Sequence, residues 1–378
     1  MVFFSLFLCY QMGMTLPRLY TIIGLMSGTS LDGVDVALIE TDGIGHVKPL
    51  GFGYFPYEEK VRAQIRACFG TKTKTPNTEQ AEHDLTLAHS DAVQKFMIRN
   101  HLSAKDIDLI GFHGQTITHD PDNQFTWQLG DGDLLARQTG IKVVYDFRSA
   151  DIEAGGQGAP LIPIYHWARA SSSHIKFPVA ILNIGGVSNI TWLGRNEGDI
   201  LAFDCGPGNA LIDDIVFKST GERFDKDGAI AKSGQTDKEI LSRWLAHDFF
   251  LKAPPKSLDR GAWDVKTISN FPLPDALATL TDFTVQAIVK GADYFPDPAT
   301  IWYVTGGGRL NAAIMDGLRT YLKCDVYPVE VLGWNGDALE AEGFAYLAAR
   351  SVLGLPLSYP STTNVKKPMT GGKTTKEF

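Results

Sequence analysis

Apolar residues fall in short runs separated by glycine-rich turns, and the arrangement occurs twice along the chain. YTIIGLM, from Tyr20, reads as a buried strand. VDVALIETD reads as a second, with Val34, Val36 and Leu38 alternating with Asp35, Ala37 and Ile39. Only the glycine turn SGTSLDG stands between them, so the unit is a hairpin, unlike the strand–turn–helix of a Rossmann or Walker phosphate loop. GFGYFPY predicts a third strand, 58–68 and 79–101 predict helices, and IDLIGFHG and KVVYDF predict further buried strands. Near Pro178 the pattern restarts. VAILNIGGVSNITWL is again strand, glycine turn and strand; ILAFDCGPGNALIDDIV and IWYVTGGGRLNAAIMDGL are each strand, glycine turn and helix. TDKE, opening at Thr236, carries a capping-box signature, and ALEAEGFAYLAARSVLG predicts a late helix stopped by Gly354 and Pro356. The polar segment from Ser358 to Phe378 is expected to drape over the surface or fray. Two halves that echo each other predict a duplicated α/β organisation with a cleft between them.

Composition narrows this picture. A length of 378 residues suggests two domains at roughly 100–200 residues each. The net charge of −8, with no long basic run, argues against holding a nucleic-acid backbone. The 38 glycines exceed the usual ~7% without the period of collagen. Cys9, Cys68, Cys205 and Cys324 form no CxxC pair, which fits a reducing compartment. His83 and His89, six apart on a predicted helix, do not share a face for a metal and are expected at the surface. The run VFFSLFLCY after Met1 lacks a basic flank and a cleavage site, and about nine residues cannot span a bilayer. Residues 1–17 are therefore expected to be a disordered or non-native extension, with Met12 or Met14 as the start. A cytoplasmic protein without a membrane partner is expected.

Three glycine turns suit one nucleotide. In SGTSLDG, Gly28 and Gly33 let amides approach an anion, Thr29 and Ser30 offer hydroxyls, and Asp32 can hold a water of a magnesium ion. Gly185 and Gly186 form the matching turn of the second half, and Gly306, Gly307 and Gly308 precede a helix. Asp204, ending a strand before Gly206-Pro207-Gly208, is the candidate general base; a helix-capping aspartate is the alternative. Asp225 and Asp227 read as a turn or a phosphate-side water contact, and Cys205 as a packing residue. His113, Gln115, Thr116, His119, Asp146, Arg148, Asp151 and Gln157 suggest a polar ligand pocket. Arg148 there either pairs with a substrate carboxylate or with Asp151. Glu340 either binds sugar hydroxyls from a cleft-facing helix or is an exposed helix residue.

Taken together, GLMSGTSLDGVDVALIE, GFHGQTITHDP, QLGDGDLLARQTGIKVVYDFRSADIEAGGQGAPLIP, LNIGGVSNITWL, AFDCGPGNALID, FDKDGAIA and VTGGGRLNAAIM resemble the anhydro-N-acetylmuramic acid kinase family. That family belongs to the superfamily of sugar kinases, actin and heat-shock chaperone ATPases. The resemblance implies two actin/hexokinase-like domains, each a five-stranded mixed sheet with flanking helices, with ATP in the cleft. It places one domain at 18–150, with the tail 356–378 packing on it, and the other at 151–355. It implies that 1,6-anhydro-N-acetylmuramic acid, ATP and water become N-acetylmuramic acid 6-phosphate and ADP in cell-wall recycling, with magnesium, in a homodimer. Asp204 falls at the family's base position. Ser27, Gly28, Thr29, Ser30, Leu31, Asp32, Gly33 and Val34 fall on its ATP loop, and Thr116, Arg148 and Glu340 fall on its sugar contacts. One departure is that Ser257 is followed by Leu258, Asp259, Arg260 and Gly261, where many members carry Ser-Thr-Gly-Arg-Glu. A kinase of another anhydro-sugar such as levoglucosan is the nearest alternative, and a non-catalytic ATP-gated binding protein is a more distant one.

Overall fold

The computed structural model describes residues 18–28, 30–173, 175–258, 263 and 265–376. The expected extension 1–17, and Thr29, Asp259, Arg260 and Gly261, lie outside the described residues. The strands are β1 (Tyr20–Met26), β2 (Gly33–Thr41), β3 (Val47–Pro56), β4 (Leu109–Phe112), β5 (Gln115–Asp120), β6 (Phe125–Leu129) and β7 (Val143–Tyr145), followed by β8 (Val179–Ile184), β9 (Val187–Leu193), β10 (Ile200–Pro207), β11 (Ile301–Thr305), β12 (Asp325–Pro328) and β13 (Lys373–Thr374).

Two main sheets share one wiring plan. The first runs β13-β7-β4-β1-β2-β3 and the second β10-β9-β8-β11-β12. In the first, β1, β2 and β3 form an antiparallel meander, and β4 then β7 add parallel on the other side of β1. In the second, β8, β9 and β10 form the meander, and β11 then β12 add parallel on the other side of β8. The duplication read from the hydrophobic pattern is thus present over five strands of each sheet, in a mixed α/β architecture; the first sheet departs from the expected five by the added edge strand β13. Ile22, Ile23 and Leu25 on β1, and the run from Val179 to Leu182 on β8, are fully or almost fully buried. Burial on both faces is why these strands appear in the sequence as unbroken apolar runs.

The late helix Leu339–Val352 returns to the first sheet and packs on β1, β2 and β4. Side-chain atoms at two strand positions would block it. A Cβ on Gly24 would lie 1.8 Å from the Ala341 carbonyl oxygen, and one on Gly111 would lie 2.2 Å from that of Phe344. These glycines therefore serve packing within the body. The segment expected to drape or fray is tied down as far as Thr375: β13 pairs antiparallel with β7, Lys373 pairs with Asp146 at 2.6 Å, and Thr375 Oγ1 accepts from the Val143 N–H. A two-residue strand held by polar contacts leaves no hydrophobic periodicity to read.

Two local expectations change, and one small sheet is new. His89 is buried, donating from Nδ1 to the Leu85 carbonyl and packing against Phe112, because helix Pro76–Arg99 turns that face inward. The helix after Thr236 is capped by Asp237, whose carboxylate accepts from Glu239 and Ile240 N–H. The β5–β6 hairpin, with polar residues on both faces, forms its own small sheet.

Candidate active site

Two glycine turns of the second half close on one another. Asn209 N–H donates to the Gly185 carbonyl at 2.7 Å, Gly208 N–H to that of Gly186 at 3.0 Å, and the Asn209 amide to that of Ile184 at 3.1 Å. NIGGVSN and FDCGPGN, separate motifs in sequence, are one structure. The cleft beside them has a volume of about 960 Å³. Ser27, Gly28, Ser30, Asp32, Thr116, Arg148, Gly185, Gly186, Asn209, Gly307 and Glu340 all line it. Asn209, missed in the sequence, sits in the FDCGPGN string that could have flagged it. Leu31, Gly33 and Val34 turn away from the cleft: Leu31 and Val34 are buried, and Gly33 presses on the Phe55 carbonyl. Gly308 packs on Ile184, while Gly306 lines an adjoining chamber.

The glycines divide by what a side chain would meet. At Gly28, Gly185, Gly186 and Gly307 an added Cβ would meet nothing closer than 3.5 Å, and none of the four has a left-handed φ. Neither packing nor backbone conformation requires glycine there. Bare backbone at four cleft positions is a cradle that side chains would fill, suited to amide contact with an anion.

Asp204 does not end its strand as expected but lies inside β10, at a register shift against β9 between Asp204 and Gly206, beyond which Gly206 and Pro207 still pair. Its backbone N–H donates to the Lys256 carbonyl, and its Oδ2 accepts from the Leu258 N–H at 2.8 Å. Burial pushes its carboxyl from 3.8 up to about 7, with the Leu258 hydrogen bond opposing. It therefore does not cap the following helix; the helix-capping alternative fails because its carboxylate points to the 256–258 loop. Lys256 anchors that loop: its ammonium donates to the Phe249 carbonyl and lies 4.5 Å and 4.7 Å from the Phe249 and Tyr294 ring centres. Asp204 is not among the residues lining the cleft; its loop is tied to the loop 155–158, where Ser257 donates to Gln157 Oε1 at 3.0 Å, two residues before the cleft-lining Ala159.

Arg148 follows β7 and forms no ion pair with Asp151. Its Nε and Nη2 contact His113 Nε2 at 3.1 and 2.9 Å, and Nη1 donates to the Gly158 carbonyl at 2.7 Å. His113 Nδ1 lies 2.8 Å from the Gly114 carbonyl, which places the proton on Nδ1 and leaves Nε2 to accept. Burial first, then the Arg148 charge, holds His113 well below its ordinary value and so neutral. The guanidinium is thus oriented by neutral acceptors, while the nearby Glu340 and Asp151 carboxylates act on its charge without a direct ion pair. Burial also lowers Arg148 to about 10. Glu340 is cleft-facing, and burial raises its carboxyl against the pull of Arg148. Asp225 is a structural cap, accepting from Ile230 and Ala231 N–H, and Cys205 is buried with its thiol donating to the Ser188 carbonyl.

A second chamber of about 510 Å³ opens off the cleft, lined by Asp35 and Tyr54 from β2 and β3 and by Gly306, Gly307, Gly336 and Asp337 beyond β11. Burial, with Glu340, Asp337 and Asp32 nearby, raises Asp35 to about 7. The cleft therefore has two ends. One brings β2 and β3 against the turn after β11; the other brings Thr116 and Arg148 toward the loop holding Asp204.

The anhydro-N-acetylmuramic acid kinase family model matches residues 20–377. The chain belongs to this family. An anhydro-N-acetylmuramic acid kinase of Rhizorhabdus wittichii is 48% identical over 358 residues, covering 93% of this chain and 98% of its own. One of Zymomonas mobilis is 49% identical over 360 residues, with the same coverage of each. Component A of the Acidaminococcus fermentans (R)-2-hydroxyglutaryl-CoA dehydratase aligns over 87% of this chain and 99% of its own, at 11% identity and a TM-score of 0.46. Among the described residues no helix is long and apolar enough to cross a membrane.

Proposed function

We propose that the chain is an ATP-dependent kinase that opens 1,6-anhydro-N-acetylmuramic acid with water and phosphorylates its 6-oxygen, in cell-wall recycling. The observation that carries this reading beyond family membership is the division of the cleft around four bare glycines. The nucleoside occupies the chamber of Asp35, Tyr54, Gly306 and Gly307. The phosphates lie along Gly28, Gly185 and Gly186. The sugar lies toward Thr116 and Arg148, with its lactyl carboxylate on the guanidinium, whose planar fork matches that group.

Asp204 takes the proton of the water attacking the anomeric carbon, and a carboxyl near 7 suits a base at neutral pH. The 6-oxygen released as the anhydro bond breaks takes the γ-phosphoryl group, so no separate acid is needed. Among the described residues no three metal-ligating side chains are grouped to hold an ion directly. Asp32 in the cleft fits a magnesium ion held mostly by phosphate oxygens and water, where it would neutralise charge on the transferring group. The same reading includes a cytoplasmic setting and a homodimer.

The test is ADP release with the anhydro-muramic sugar, levoglucosan, an intact amino sugar and no sugar, run in oxygen-18 water. Release confined to the first, with label on the anomeric hydroxyl, is expected. Label on phosphate would mean ATP hydrolysis and would remove the reading.

A further inference from the structure

We infer that Asp151 is a positioning residue that sets Arg148 for the substrate, and that Ser358 and Thr363 of the C-terminal segment complete the device. The inference rests on the sugar end of the cleft proposed above. Asp151 lies three residues after Arg148 on the short helix Ser149–Glu153 and is 2% exposed. Its Oδ1 accepts from the Gly158 N–H at 2.6 Å; its Oδ2 accepts from Thr363 Oγ1 at 2.6 Å and from the Ser358 hydroxyl. A buried carboxylate is costly unless its oxygens are occupied, and here hydroxyls and an amide occupy them with no cation paired among the described residues.

Those contacts act on the loop 155–158. Gly158 presents the carbonyl that takes Arg148 Nη1, and Gln157 N–H donates to the Thr363 carbonyl at 2.6 Å. Gln157 also receives Ser257, next to the Leu258 N–H that holds Asp204. A Cβ on Gly156 would lie 2.2 Å from Asp151 Oδ1, so the loop is wrapped tightly about the carboxylate. Loss of the hydroxyls would leave the Gln157 bond to the Thr363 main-chain carbonyl in place but free the Asp151 carboxylate, which holds the Gly158 N–H, and so shift the guanidinium without touching the phosphate cradle.

Thr363→Val removes one hydroxyl at constant shape, and Thr363→Ser restores it. A hydrogen bond to a charged group contributes about 1.5–3 kcal/mol, so KM for the anhydro-muramic sugar should rise about tenfold or more in Thr363→Val. KM for ATP should stay within about twofold, and Thr363→Ser should return to near wild type. Ser358→Ala, measured alone, supplies the same comparison if the valine variant does not fold. An unchanged sugar KM, or equal rises in the sugar and ATP constants, would overturn the inference. Absence of sugar-dependent ADP release in the wild-type protein would instead remove the functional reading, and the inference with it.

Discussion

Gly24 and Gly111 are register partners on the adjacent parallel strands β1 and β4, and both lie against the backbone of helix Leu339–Val352. Their space is occupied by main chain, which cannot rotate aside. Gly28, two residues beyond β1, has open cleft beside it. Gly24→Ala should destabilise the fold by at least the ~1–3 kcal/mol typical of overpacking, visible as a lower denaturation midpoint. Gly28→Ala should leave the midpoint within about 0.5 kcal/mol, the usual range for substitutions away from packed features, while raising KM for ATP. Equal effects on stability would contradict the division into packing and cradle glycines.

Asp204 must be ionised to accept a proton. Because burial raises it to about 7, kcat/KM for the sugar should climb as pH rises through about 7 and level off above. Asp204→Asn should abolish product while keeping ATP binding within a few fold, by calorimetry. A rate that is flat between pH 5 and 8 would place the base elsewhere.

The same group has a stability consequence. Its folded value lies above the ordinary 3.8, so the folded state holds the proton more tightly. Below pH 4 both states are protonated and burial of charge costs nothing. Above pH 7 both are ionised and the cost is complete. Asp204→Asn should therefore stabilise the protein at pH 8 by roughly 4 kcal/mol, about three units at about 1.4 kcal/mol each, and by less than about 1 kcal/mol at pH 4. Chemical denaturation at the two pH values measures this.

Arg148→Lys would exchange a fork held at three points for a single ammonium. The sugar KM should rise tenfold or more for a carboxylate-bearing substrate, since the bidentate geometry is lost. Binding of levoglucosan, which lacks that carboxylate, should change little. Equal losses on both sugars would assign Arg148 to the frame of the pocket.

The strands that bury both faces were legible, because β1 and β8 are unbroken apolar runs, and so were the glycine turns between hairpin strands. Partners far apart in sequence were not. Nothing in IIGL says that Gly24 meets Gly111, or that a helix more than 300 residues later rests on both. Gly24 and Gly111 therefore give no sign in the sequence of the helix they must admit. The β5–β6 hairpin was hidden because β5, with Ile117 as its one apolar residue, gives no alternation, although Phe125, Trp127 and Leu129 do alternate with Thr126 and Gln128 along β6. His89 looked like a surface residue because its neutral buried state depends on the Leu85 carbonyl and the Phe112 ring. Asp204 and Arg148 were found through their motifs. What orients them, the Leu258 N–H and the His113 Nε2, comes from loops that only the fold brings near.

Asp35, in the wall of the second chamber, and Asp204, buried behind the 256–258 loop, each have a carboxyl near 7. At neutral pH the protein is therefore a partly loaded proton store, and its formal charge of −8 counts both groups as fully ionised. A polyanion settling beside Asp35 would raise that group further, so nucleotide entry should draw a proton from the buffer. The heat of binding would then depend on the buffer's own ionisation enthalpy, and the apparent affinity would weaken as pH rises past 7.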